Sequence, residues 1–227
     1  MTGRRLEREG RPTSSDLKRK ATLWEYEQAE NDPEWDDEAR AEALTAAFAR
    51  RESDPSGAFA ACLELAEAGS RTAMVEVGEG FEIGRRTTRD IEKAEMWLRR
   101  AYELGSQRAV LSYGGLLTRH ADLAGAERVF RPAAAEGWAP AVYRLASILL
   151  RRDGDPVSIE EGRALLEQAA ALGHPGAKVH LGREMILGRY GLARVPHGFR
   201  LLMAYINEVM AEAGTVVRRT PSGETLH

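Results

Sequence analysis

His180 and Glu184 stand four residues apart in "HLGRE", a spacing that puts an imidazole and a carboxylate on one face of a helix, as two metal ligands would need. No second histidine, HExxH run or cysteine pair accompanies them, so a surface ion pair is the favoured reading. The run "GEGFEIGRR" (Gly78–Arg86) has the glycine density of a phosphate-cradling loop. It opens no strand-to-helix turn and lacks a closing Gly-Lys-Ser/Thr, so it fails the context that phosphate binding requires. Cys62 is the sole cysteine, has no local His or Asn motif and falls in an apolar run. It reads as a buried structural thiol rather than a nucleophile. His174 in "GHPG" reads as a turn residue and His120 as an interhelix residue. With no nucleophile–base pair and no metal-ligand set, the chain is read as a non-enzyme without cofactor or metal.

The elements that would position such groups come from the rest of the chain. Its 227 residues suffice for one large domain or two small ones with a core. At 43% hydrophobic, 30% charged and net charge -3, the composition points away from a membrane span, a collagen or a wholly disordered chain. The N-terminus is basic but has no apolar run behind it, so export by a signal peptide is not expected. One cysteine excludes an internal disulfide and fits a reducing bacterial cytoplasm. The 28 arginines against four lysines fit phosphate recognition or, the preferred explanation, a GC-rich genome. Residues 1–20 carry net +4 and residues 21–60 net -8. The acidic block "EYEQAENDPEWDDEAR" (Glu25–Arg40) reads first as a solvated face or linker and second as a docking segment.

Self-similarity organises the remainder. Gly69, Gly105, Gly137 and Gly173 close four helix-like runs at spacings of 36, 32 and 36. Ala73, Ala109, Ala141 and Ala177 follow at a fixed offset of four, and Gly78, Gly114, Ala146 and Gly182 come five later. Bulky Phe81, Leu117, Leu149 and Met185 complete the phase. Each unit reads as two antiparallel helices, the first buried through Ala73, Val77, Gly78 and Phe81 and the second through Ala94, Trp97, Leu98 and Ala101. Asp90 and Asp122 stand at N-cap positions, Pro140 and Pro175 at helix starts, and the closing glycines where a left-handed residue is wanted. A glycine inside a helix costs roughly 1 kcal/mol, so Gly78 and Gly114 are expected at close helix crossings.

These columns resemble the SEL-one-like repeat (SLR) family, relatives of the tetratricopeptide repeats. Ala73–Gly105 follows the family pattern most fully, including Gly84, Asp90, Lys93–Ala94 and Trp97. Ala109–Gly137 is four residues shorter, and Pro132 inside its second helix is expected to kink it. The third unit has Gly162 where alanine is expected, the fourth a longer loop, "GRYGLARVPHG", and a degenerate leading unit covers Ala41–Gly69. The resemblance implies an all-α fold, an α/α solenoid wound as a right-handed superhelix of about 4–5 helical-hairpin repeats. The expected layout is a polar segment at 1–35, disordered or capping, a repeat solenoid at 36–214, and a disordered tail at 215–227. Within the first segment, Ser14–Glu30 is read as a helix capping the solenoid start, and the last helix as a cover for the other end.

The resemblance also implies that the first helices line a concave groove, their outward positions being Glu76, Glu79 and Ile83; Ser112, Gly115 and Arg119; Arg144, Ser147 and Arg151; and His180, Arg183 and Leu187. The groove would begin acidic and turn basic, and its arginines suit an acidic peptide. Surface arginines without a role are the competing reading. Trp138 and Tyr143 beside it are either interface anchors or, as preferred, core. The expected function is a non-catalytic adaptor or scaffold whose groove binds a partner protein or acidic peptide. The alternative is a dedicated regulator or neutralising, immunity-type partner of one effector. A β-lactam-binding or hydrolysing enzyme is a weaker reading, since the secreted family members associated with it carry spaced cysteine pairs. Nucleic-acid binding is also weaker, given the net charge. No membrane partner is expected.

Overall fold

A computed structural model describes residues 24–29, 38–151 and 155–217. The disorder expected of residues 1–13 and of 218–227 lies outside the described residues. Among the described residues the fold is an α-solenoid of helical repeats with no strand. It divides into two compact units, Glu25–Leu165 and a second comprising Trp24 with the chain from Leu166 onward.

Residues 24–27 are helical, and the larger unit contains α1 (Glu38–Ala49), α2 (Pro55–Glu67), α3 (Arg71–Ile83), α4 (Ile91–Glu103), α5 (Gln107–Arg119), α6 (Leu123–Ala135) and α7 (Ala139–Leu149). Consecutive helices pack on one another from α1 to α7, while α3 also packs on α5 and α5 on α7. The first helices of successive repeats therefore touch and make a continuous layer. Its core is the set of columns read above: Ala73, Val77 and Phe81 on α3 and Ala94, Trp97, Leu98 and Ala101 on α4 are all buried. The helix α8 (Pro156–Ala171) crosses the boundary between the units, and the second unit holds α9 (Pro175–Ile186), a 3-10 turn (Leu192–Arg194) and α10 (Val195–Val217). That last helix runs past Gly214, where the repeat region was expected to end.

One joint recurs between repeats. Gly105 takes φ 83°, a conformation costly for any residue with a Cβ, and the next residue, Ser106, donates its N–H back to Ala101 O at 3.0 Å. Ser106 then caps the following helix, its Oγ accepting from Ala109 N at 3.3 Å. Ser70 and His174 repeat both roles after Gly69 and Gly173, His174 accepting through Nδ1 from Ala177 N at 3.1 Å. So His174, expected as a turn residue, is a fully buried N-cap with Trp24 edge-on to its ring at 5.0 Å, both within the second unit. Asp90 and Asp122 cap α4 and α6 as read, their carboxylates accepting from Lys93 N and Gly125 N.

The helix glycines stand at close approaches. A Cβ on Gly78 would lie 2.6 Å from Leu98 Cγ, and one on Gly80 2.6 Å from the Phe59 ring, so the same helix meets α4 on one side and α2 on the other. This settles "GEGFEIGRR" as helix and cap rather than ligand loop, with Gly84 ending α3 at φ 72°. Pro132 sits inside α6, which is helical from Leu123 through Ala135.

Candidate interaction face

Along α3, α5 and α7 the outward positions of the larger unit carry polar groups, and the structure gives nearly all of them partners. Glu79 is the centre of one cluster. Its Oε1 accepts from Ser112 Oγ at 2.7 Å and from the Tyr26 hydroxyl at 3.1 Å, and that hydroxyl lies 3.3 Å from Ser112 Oγ. Ser112 is buried, and the Arg108 guanidinium stands 5.9 Å from the centre of the Tyr26 ring. Burial, followed by the charge of Glu79, pushes the Tyr26 phenol up to about 12.

A second cluster holds the preceding residue. Glu25 is only 1% exposed, and both Nε (3.0 Å) and Nη2 of Arg144 converge on its Oε2. A buried carboxylate demands such a partner, since an isolated one would cost several kcal/mol. Trp138, the residue before α7, donates its indole N–H to Gln28 O at 3.2 Å. Residues 25–28 are thus held by a phenol, a carboxylate and a backbone carbonyl, against side chains from three first-helix positions.

This corrects three expectations. Residues 25–28 are not a solvated linker, because Glu25 is buried and Tyr26 half-buried. They do not cap the solenoid start: their partners Glu79, Ser112 and Arg144 belong to three successive repeats rather than to the leading one. Trp138 and Tyr143 are half-buried rather than core, and Trp138 spends its only side-chain donor on the segment.

The other outward residues are engaged separately. Glu76 lies between Arg51 (2.7 Å) and Arg86 (2.8 Å). Arg119 makes a bidentate pair with Glu82 at 2.5 and 2.7 Å and covers Gly115, where a Cβ would lie 3.1 Å from its Nη1. Ser147 Oγ donates to Tyr143 O in its own helix at 2.9 Å. Arg151 and Ile83 are exposed, as outward positions should be. The face is therefore not a row of waiting arginines. It is a set of ion pairs interrupted by a docked segment.

His180 and Arg183 belong to the second unit, on α9. Glu184 there is buried and held by Arg189 Nη1 at 2.7 and 2.9 Å, with Arg183 Nη2 at 3.6 Å and His180 Nε2 at 3.9 Å. The expected pair of His180 with Glu184 is thus present at 3.9 Å, but on a buried carboxylate that Arg189 holds more closely. Burial first, and then the neighbouring arginines, pull the His180 pKa down against the opposing pull of Glu184. No group of three metal-ligating side chains occurs among the described residues. Cys62 is buried, and burial raises its thiol pKa. Among the described residues no helix is long and apolar enough to cross a membrane.

The sequence signal that would have found the docked segment is its composition. Trp24 and Tyr26 are two aromatics at the head of an acidic run, where a solvated linker has no use for them. No sequence rule would have named Glu25 as buried.

The Sel1 repeat family model matches residues 72–106 and 139–174. Among solved structures, a Sel1 repeat protein from Oxalobacter formigenes is similar at 20% identity with a TM-score of 0.60, the match covering 81% of this chain and 80% of that one. A protective antigen of uropathogenic Escherichia coli strains, c5321, displaying an SLR fold, is similar at 16% identity with a TM-score of 0.60 over 71% of this chain. The chain spans 37% of the length of that antigen. No curated protein matches.

Proposed function

We propose that this Sel1-like repeat helical protein is a non-catalytic adaptor that holds a segment of a partner protein against the layer formed by α3, α5 and α7. Sel1 repeats are generally protein-interaction scaffolds. One observation carries the reading to this face: side chains at three first-helix positions already grip a short acidic and aromatic segment, residues 25–28 of the chain itself. A surface that buries a carboxylate on Arg144 and a phenol on Glu79 and Ser112 is built for peptide recognition, in which a few anchored side chains supply most of the energy. The partner is accordingly a protein segment rich in acidic residues.

The test is affinity capture with the full-length chain beside Arg144→Glu/Arg151→Glu, followed by mass spectrometry and then by direct binding of the recovered partner. The expected result is one partner bound by wild type and lost from the charge reversal, with unchanged helical content. A partner bound equally by both proteins, or none recovered by wild type in repeated captures, would remove the reading.

A further inference from the structure

We propose that residues 25–28 act as an internal competitor on this face, and that the partner enters by replacing Glu25 and Tyr26 with its own adjacent carboxylate and phenol. The inference rests on the adaptor reading above and adds both a recognition rule and a form of self-regulation.

Its basis is the kind of contact the segment makes. Residues 25–28 belong to no repeat, and their contacts with α3, α5 and α7 are made through side chains and one main-chain carbonyl. Each of its anchors is a polar contact that another peptide can reproduce: the carboxylate on Arg144, the phenol between Glu79 and Ser112, and a main-chain carbonyl on Trp138. The Arg144 side chain remains 39% exposed with Glu25 in place, which gives an incoming carboxylate access to it. The phenol site discriminates as well. Its two protein partners are a carboxylate and a hydroxyl, so it takes a neutral hydrogen-bond donor and repels a second anion. An acidic residue followed directly by tyrosine satisfies both sites, while two consecutive acidic residues do not.

The competitor is tethered, and so presents itself at a local concentration of roughly millimolar. An incoming segment must therefore contact something that residues 25–28 leave bare. The face offers Ile83, 62% exposed four residues beyond Glu79, and exposed Arg151 beyond Arg144. A partner segment longer than one turn, with an apolar and a further acidic residue, reaches both.

The probe is a synthetic peptide of residues 22–30, titrated into the isotopically labelled full-length chain while the amide resonances of Glu79, Ser112 and Arg144 are followed. Glu25→Ala/Tyr26→Ala is expected to bind it roughly tenfold or more tightly than wild type. Adding Arg144→Ala abolishes that binding, and a peptide with both anchors changed to alanine does not bind. Equal binding by wild type and the double variant, or binding by neither, overturns the proposal. If the double alanine variant does not fold, Glu25→Gln/Tyr26→Phe is read by the same criteria. Peptide exchange without any captured partner leaves the competitor standing and removes the adaptor reading. A partner captured equally by wild type and the double variant, with no peptide exchange, does the reverse.

Discussion

The α3–α4 and α5–α6 hairpins follow one plan and differ at the two places where the plan is tightest. In the first, Gly78 faces Leu98 and the turn is made through Gly84 at φ 72°. In the second, Gly114 faces the Phe130 ring, and the turn passes through Ala121 at φ 64°, with no glycine at all. The shorter hairpin has kept the joint's hydrogen bonds, Asp122 donating to Leu117 O and capping α6, while giving up the residue that makes the joint easy. Repeat architecture thus conserves geometry before it conserves residue type, and strain collects where the two part company.

The largest consequence lies at the crossings. A Cβ on Gly114 would come within 2.4 to 3.0 Å of three atoms of the Phe130 ring, which is fully buried and rigid. Alanine gains about 1 kcal/mol in helix propensity, but overpacking against a locked ring costs about 3 kcal/mol. Gly114→Ala is expected to lose about 2 kcal/mol in urea unfolding, by the difference of those two effects. At Gly78 the opposing atoms are the branch of Leu98, which can change rotamer, and the loss should be about half as large. Adding Phe130→Leu to Gly114→Ala should recover part of the loss. Equal losses at the two glycines would show that the ring is not what sets them apart.

The two hairpins are also joined, through Glu79 of one and Ser112 of the other, by the Tyr26 hydroxyl. The folded chain holds that phenol's proton more tightly than the unfolded chain does, so the stabilisation is complete below pH 10 and is lost as pH rises through about 12. Ultraviolet titration of tyrosinate should show a late-titrating component that is lost in Tyr26→Phe. In Glu79→Gln the group should titrate earlier, because the carboxylate's charge is gone, yet still late, because burial remains. An unchanged profile in Tyr26→Phe would place the late titration elsewhere.

What the sequence disclosed follows the same division. The columns Ala73/Ala109, Gly78/Gly114 and Gly69/Gly105 were legible because each is repeated at fixed spacing and each has a local cause, a crossing or a left-handed turn. The N-caps Ser70, Ser106 and His174 were passed over, although they occupy one column directly after those glycines. Glu76, Ser112 and Arg144 could be assigned to the outward face by phase, but their partners could not. Tyr26 reaches Glu79 across 53 residues and Glu25 reaches Arg144 across 119, from a segment that belongs to no repeat. Periodicity says which way a side chain points within its own repeat. It carries nothing about a non-repeating neighbour that comes to lie on it.

The strained turn supplies a smaller and opposite effect. An alanine in the left-handed region costs about 1 kcal/mol, which glycine relieves, while glycine also frees the unfolded chain by several tenths of a kcal/mol. Ala121→Gly should therefore stabilise the protein by about 0.5 kcal/mol, a rise in the thermal midpoint with no change in helical content. The same change at Ser106, which carries a cap and no positive φ, should destabilise it by roughly a few tenths of a kcal/mol.

Least is expected of the most visible bridge between the hairpins. Arg119 grips Glu82 with two hydrogen bonds at 2.5 and 2.7 Å, a geometry that invites a large energy. The Arg119 side chain is 57% exposed, so water screens the pair and holding the long side chain in place costs entropy. Glu82, whose side chain is only 10% exposed, is the member with something to lose when its partner goes. Arg119→Ala should cost no more than about 0.5 kcal/mol, and less at high salt. A loss comparable to that of Gly114→Ala would mean that the hairpins are held together by their charges as much as by their crossings, and the contrast drawn between them would have to be rebuilt on electrostatics.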